Sequence, residues 1–230
     1  ARYWFTRAAD SGNAAAQYQV AVMASQGAGG PKDEATAALY YKKSLQTWKK
    51  EADDGDSKAA LWAALVYERK LVPDSSPEKS VPYLLQAAES GNLTAQGLLA
   101  FKYRDGLGVP QDAAKAVEWF EKAASRKDLG AVMELGIMFR DGKYLPPDRE
   151  KAFHWFEKGA EWKDPYSMAA LADMLLEGTP SAEQAARALA LYREAAAAGY
   201  FPAALKAAEL LQNGKGGELD ADEAYRLLRR

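Results

Sequence analysis

The sequence has no cysteine and a single histidine among its 230 residues. Without thiols there are neither disulfide staples nor thiolate metal sites. One imidazole leaves a Ser-His-Asp triad a single candidate base, and a zinc site would have to draw on several carboxylates instead. Net charge is also scarce: 30 Lys and Arg stand against 32 Asp and Glu, a formal balance of -2. A nucleic-acid groove needs a clear cationic surplus, so no nucleic-acid partner is expected. No apolar run approaches the roughly 18 residues of a membrane span, so no direct span is expected either. Strand formers are few, with 14 Val, Ile and Thr together against 47 Ala. That ratio makes the expected fold class all-α.

What the chain does have is a repeat. A shift of 36 residues superposes Gly106, Gly142, Gly178 and Gly214, and the same step carries Trp119 onto Trp155. Asn92, Asp128 and Asp164 coincide, as do Asp112 and Asp148, and as do Tyr83, Trp119, Trp155, Leu191 and Leu227. One step back from Asn92 reaches Asp56, and a step of 43 reaches Asn13, so an early repeat carries seven extra residues near Ala35 to Lys50. A fixed period of this length marks a stacked-repeat architecture.

Each unit reads as two helices. The first opens at a short polar cap such as Asn92 or Asp164, whose side-chain oxygen can accept from the orphan N–H groups of the first turn. It closes at the recurring Gly, suited to a left-handed helix end. A Gly- and Pro-rich loop follows, as in GLGVPQD from Gly106 to Asp112. Asp112 or Asp148 then caps the second helix, and Asp220 to Glu223 has the spacing of a capping box. Apolar positions on the second helix at Ala116, Trp119, Phe120, Ala123 and Ala124 form one stripe. On the first helix the stripe is Ala95, Leu99, Ala100 and Tyr103, repeated as Ala131, Leu135, Gly136 and Phe139. No single hairpin can bury these stripes, whereas stacked hairpins can. Trp4, Trp48, Trp119 and Trp155 share two adjoining columns and are expected in the core. In the irregular pair between Asp56 and Gly91, Lys70 replaces the loop Gly. Pro73, Pro77 and Pro82 there predict a second helix that starts late, near Ser80, or kinks before Tyr83.

The string YRDGLGVPQDAAKAVEWFEKAA, Tyr103 to Ala124, resembles the Sel-one-like repeat, a relative of the tetratricopeptide repeat. The resemblance covers essentially the whole chain and implies a right-handed superhelical solenoid of antiparallel helix pairs. The expected organisation is one solenoid over 1–230. Its pairs begin near 13, 56, 92, 128, 164 and 200, after a leading half repeat at 1–12. Tyr200 departs from the Asn or Asp cap of the other pairs. Because Ala1 falls inside a helix, with neither a cap nor a starting Met, the chain is expected to derive from a longer one. Its compartment would then be read from upstream residues, with the periplasm or envelope favoured by the resemblance.

Candidate chemistry is thin. The runs Gly27 to Gly30 and Gly214 to Gly217 lack the Walker pattern and occupy loop positions. His154 sits in a mixed polar column, the mark of a solvated face. No nucleophile, base and oxyanion donor are gathered by the repeat, so no catalytic residue, cofactor or metal site is assigned. In tetratricopeptide-like solenoids the first helix of each pair lines the inner curve. By that resemblance the candidate partner-binding stripe is Trp62, Leu65, Leu98, Phe101 and Ile137, apolar early, then Asp141, Asp173, Glu177 and Glu209, acidic late. The expected function is a non-enzymatic module that binds a partner protein or peptide in this groove, as a bacterial envelope scaffold or adaptor. An immunity protein that neutralises a secreted toxin is one alternative, and a hydrolase acting through groove carboxylates is another.

Overall fold

The computed structural model describes residues 1–214, 220, 223 and 224. Leu227 and the glycine run beyond Gly214 lie outside these residues. Twelve helices and no strand are present among the described residues. They are α1 (Arg2–Asp10), α2 (Ala14–Gln26), α3 (Glu34–Asp53), α4 (Ser57–Glu68), α5 (Pro77–Glu89), α6 (Leu93–Asp105), α7 (Ala113–Ala124), α8 (Leu129–Asp141), α9 (Arg149–Glu161), α10 (Pro165–Leu175), α11 (Ala182–Ala197) and α12 (Phe201–Gln212). Even-numbered helices are the first-type members of the pairs, and odd-numbered helices are the second-type members. The contacts group the chain into two compact units, Ala1–Trp119 and Phe120–Arg230. In the first, each helix from α1 to α5 packs on the one that follows it, and in the second each helix from α8 to α11 does the same. The fold is an all-α stack of consecutive helix pairs.

Local chemistry sets the boundaries. The side chains of Asn13, Asp56, Asn92, Asp128 and Asp164 each accept from a backbone N–H in the first turn of the helix that follows. Asp112 and Asp148 do the same for Lys115 and Lys151, both at 3.0 Å. Each such cap satisfies a donor that the helix itself cannot. Past the last helix, Asp220 Oδ1 still accepts from the Glu223 backbone N–H at 2.8 Å. Tyr200 contributes no side-chain cap to α12.

The turn that ends each second-type helix needs a left-handed residue. Gly12, Gly55, Gly91 and Gly199 supply it in four repeats, but Lys127 and Lys163 take φ of +63° and +62° in the same column. Lys70 likewise adopts φ +53° where the neighbouring repeat has Gly106. The repeat therefore imposes the backbone conformation even where the residue resists it.

The second-type stripe is buried as read, with Ala116, Phe120, Ala123 and Ala124 at 1% exposure or less. Leu99, Leu135 and Leu171, one column of the first-type helices, are equally closed. Burying each such Leu is worth about 1.5–3 kcal/mol. Gly136 sits where other repeats have Ala100 and Ala172, and a Cβ there would run into the Phe156 ring.

Two expectations are corrected. Trp48, Trp119 and Trp155 are buried, but Trp4 is 67% exposed, with Tyr3 and Phe5 also open. The second-type helices α3, α5, α9 and α11 each pack on two first-type helices, whereas α1 packs chiefly on α2 alone. The other correction concerns α5, which starts at Pro77 and runs unbroken through Pro82 to Glu89. Pro77 falls in the first turn, where its missing donor goes unused. Pro82 points to solvent, so the one carbonyl it leaves unpaired can be hydrated.

Candidate functional site

The stripe assigned to the first-type helices falls in both units, and each part has its own chemistry. In the first unit Trp62 and Leu65 come from α4, and Leu98 and Phe101 from α6. Trp62 is 38% exposed, and Leu65, Leu98 and Phe101 are half-buried. The Trp62 indole stacks on the buried Trp48 of α3, with 5.4 Å between centroids and 16° between planes. Tyr18 of α2 packs against both, 5.7 Å from Trp62 and 5.6 Å from Trp48, and reaches Tyr41 at 5.5 Å. Arg69 donates to the Tyr18 hydroxyl at 2.8 Å. One repeat on, the Arg104 guanidinium lies 4.7 Å over the Phe101 ring and is bidentate to Asp105. The result is an aromatic platform, closed below by Trp48 and open above at Trp62.

Beneath this face lies a group that the sequence reading missed. Lys102 is 3% exposed. Its ammonium pairs with Glu68 at 2.7 Å and approaches the Pro77 and Leu107 carbonyls at 3.3 Å each. Its 36-residue relatives are Val66, Met138, Met174 and Leu210. A lysine in an apolar column was the available signal. The cation ties the start of α5 and the Gly106–Gly108 loop to α4.

In the second unit Ile137 is half-buried and Asp141 exposed on α8, where Asp141 accepts from Arg140 Nε at 2.7 Å. Asp173, Glu177 and Glu209, all exposed, line one recess of about 270 Å³ between α10 and α12, with Lys206 among them. Ile137 and Asp141 do not line it. Asp173 Oδ1 accepts from the Tyr192 hydroxyl at 2.6 Å. Burial, first, and the bond to Asp173 hold that phenol far above its usual ionisation range. Arg149 donates to Glu177 Oε2 at 3.2 Å and to the Met174 carbonyl at 2.8 Å. A second recess of about 150 Å³ adjoins the first, floored by Ala169 and Ala170 and walled by Tyr166, Tyr200, Asp173 and Lys206. It opens because Ala170 occupies the column that holds Trp62, Leu98, Glu134 and Lys206 elsewhere. His154 is exposed on α9. Among the described residues no three His, Asp or Glu side chains converge as metal ligands, and no helix is long and apolar enough to cross a membrane.

Capped helix pairs in a fixed register, with side chains varying on the first-type face, define a helical-repeat protein. The Sel1 repeat family model matches residues 1–13, 14–46, 66–92, 94–128, 130–161, 165–200 and 202–230, and the chain belongs to that family. Sel1 repeats are protein-interaction modules and the family is generally non-catalytic. Similar solved structures include c5321, a protective antigen present in uropathogenic Escherichia coli strains. It is 30% identical, with a TM-score of 0.72 over 99% of this chain and 47% of that one. The chain thus spans about half the length of that antigen. A Sel1 repeat protein from Oxalobacter formigenes is 24% identical over 94% of this chain and 84% of its own, with a TM-score of 0.63, and shares the fold. An immunity protein from Pseudomonas aeruginosa, Pa5087, is 16% identical over 94% of this chain and 81% of its own. Its TM-score is 0.45. No curated protein matches the sequence.

Proposed function

We propose that this protein is a non-enzymatic interaction module that takes a partner protein or peptide on the exposed faces of its first-type helices. The reading is carried by Trp62. A column that accepts Glu134 and Lys206 does not require an aromatic for packing, yet here an indole is stacked from below and left open above. Trp is prominent among interface hot spots, where a half-desolvated, pre-positioned ring loses little entropy on binding. The acids of the second unit would supply charge complementarity to a partner more than raw affinity. We further propose, on family resemblance alone, that the module acts as a scaffold or adaptor in the bacterial envelope.

The test is capture of partners from the source cells by wild type and by Trp62→Ala, followed by titration of the purified pair. The reading expects a partner whose affinity falls by roughly thirtyfold or more in the variant, the equivalent of a hot spot of about 2 kcal/mol. A rival hydrolase acting through Asp173 or Glu177 would instead turn over a broad substrate panel and lose that activity on Asp173→Asn or Glu177→Gln. That outcome would overturn the proposal.

A further inference from the structure

Two of the chain's departures from its own repeat border one cavity. The seven extra residues make α3 a helix of 20 residues, against 13 in α5 and 12 in α7. The loop after α4 replaces the usual Gly-rich sequence with LVPDSSP. That loop turns Val72 inward to 7% exposure. Between α3 and this loop lies a cavity of about 410 Å³, lined by Lys42, Leu45, Gln46, Lys49, Tyr67, Val72, Pro73 and Asp74. Its size falls within the roughly 300–1,000 Å³ of small-molecule sites.

The lining has two parts. Leu45, Tyr67 and Val72 are each at most 8% exposed and form an apolar floor, continued by Pro73. Lys42, Leu45, Gln46 and Lys49 follow the i, i+3, i+4, i+7 spacing, so a single face of α3 brings two ammonium groups to the same opening. Among the described residues neither lysine has a carboxylate within ion-pair distance, although Asp53 lies one turn beyond Lys49. Lys49 lies instead beside the phenols of Tyr67 and Tyr83, whose rings stack on one another. The one carboxylate of the lining, Asp74, is already paired with Lys79. The cavity thus combines a buried apolar floor with two lysines at its mouth, neither held in a close ion pair. None of its lining residues belongs to the Trp62 cluster, so the cavity is separate from the proposed partner-binding face.

We propose that this cavity binds an amphipathic carboxylate, its apolar body against Leu45, Tyr67, Val72 and Pro73 and its anionic group on Lys42 and Lys49. A free fatty acid and the C-terminal residue of a peptide both present that chemistry. Octanoate and N-acetyl-leucyl-phenylalanine with a free carboxylate serve as the two probes, with octylamine as the cationic control. Binding to the wild-type chain is followed by calorimetry and by methyl NMR of Leu45 and Val72.

At least one of the two acids should bind saturably and shift those methyl signals, whereas octylamine should not. The tighter of the two identifies the source. Gln46→Trp, an exposed position on the wall, should block the site, and Lys42→Gln with Lys49→Gln should weaken binding roughly tenfold or more through lost charge-assisted contacts. Unchanged thermal melts of these surface variants separate a lost site from a lost fold. Saturable binding by neither acid, equal binding of octylamine, or undiminished affinity in both variants would overturn the proposal. None of these results bears on partner capture by Trp62.

Discussion

The indole of Trp62 lies nearly parallel to that of Trp48, their centroids 5.4 Å apart, with one ring buried and the other 38% exposed. An interior residue and a surface residue thereby form one unit. Trp62 is at once part of the packing of the first unit and the most exposed apolar group of its stack.

That dual position sets the first prediction. Truncating a fully buried Trp costs about 3–5 kcal/mol. Trp48→Ala should fall in that range, while Trp62→Ala should cost roughly half as much because over a third of its side chain already meets water. Urea melts of the two variants measure the difference. Equal losses would show that Trp62 is an ordinary core residue.

Lys102 should be the most sensitive charged position in the first unit. Removing one partner of a buried ion pair costs about 3–5 kcal/mol. Lys102→Ala should fall near the lower end of that range, because the Glu68 side chain is 27% exposed and can be partly hydrated. Lys102→Met restores the volume that the column carries at Met138 and Met174, and should cost less than Lys102→Ala. A loss below about 1 kcal/mol for Lys102→Ala, read by denaturant titration, would contradict this account.

Gly136→Ala tests the packing of the second unit. In an open helix the change would gain about 1 kcal/mol in propensity. Here the added methyl meets the Phe156 ring, and overpacking of this kind costs about 1–3 kcal/mol. The variant should therefore melt lower than wild type, and Gly136→Ala with Phe156→Leu should recover part of the loss.

Lys127 holds φ +63° in a column that four other repeats fill with Gly. A left-handed conformation costs a non-glycine residue about 1–2 kcal/mol, partly offset by the greater chain entropy that Gly loses on folding. Lys127→Gly should raise stability by about 0.5 kcal/mol. Thermal denaturation that moved downward would contradict the assignment.

Much of the fold was legible because the repeat presents the same chemistry several times. Asn92, Asp128 and Asp164 recur at one step, and a cap that recurs in register cannot be an accident of composition. The helices duly start one residue later, at Leu93, Leu129 and Pro165. The reading failed where a residue's effect depended on its surroundings. Pro82 was read as a breaker, but it lies on the exposed side of α5, where the lost hydrogen bond can be replaced by water. Trp4 was assigned to the core from its column, but a column reports burial only where a helix lies on both sides. Among the stripe residues, the spacing grouped Asp173, Glu177 and Glu209, and these do line one recess. Spacing gave no indication that Asp173 accepts from the buried Tyr192, because the two lie on different helices. The ion pair of Lys102 with Glu68 was missed for the same reason.

The most direct test of the partner-binding account is an affinity titration of a captured partner against three forms of the protein: wild type, Trp62→Ala and His154→Ala. Trp62 lies on a first-type helix of the first unit, and the exposed His154 on a second-type helix of the second. The account predicts a loss of roughly thirtyfold or more for Trp62→Ala, with affinity unchanged for His154→Ala and helix content unchanged in both. Full affinity in folded Trp62→Ala, or an equal loss in His154→Ala, would contradict it.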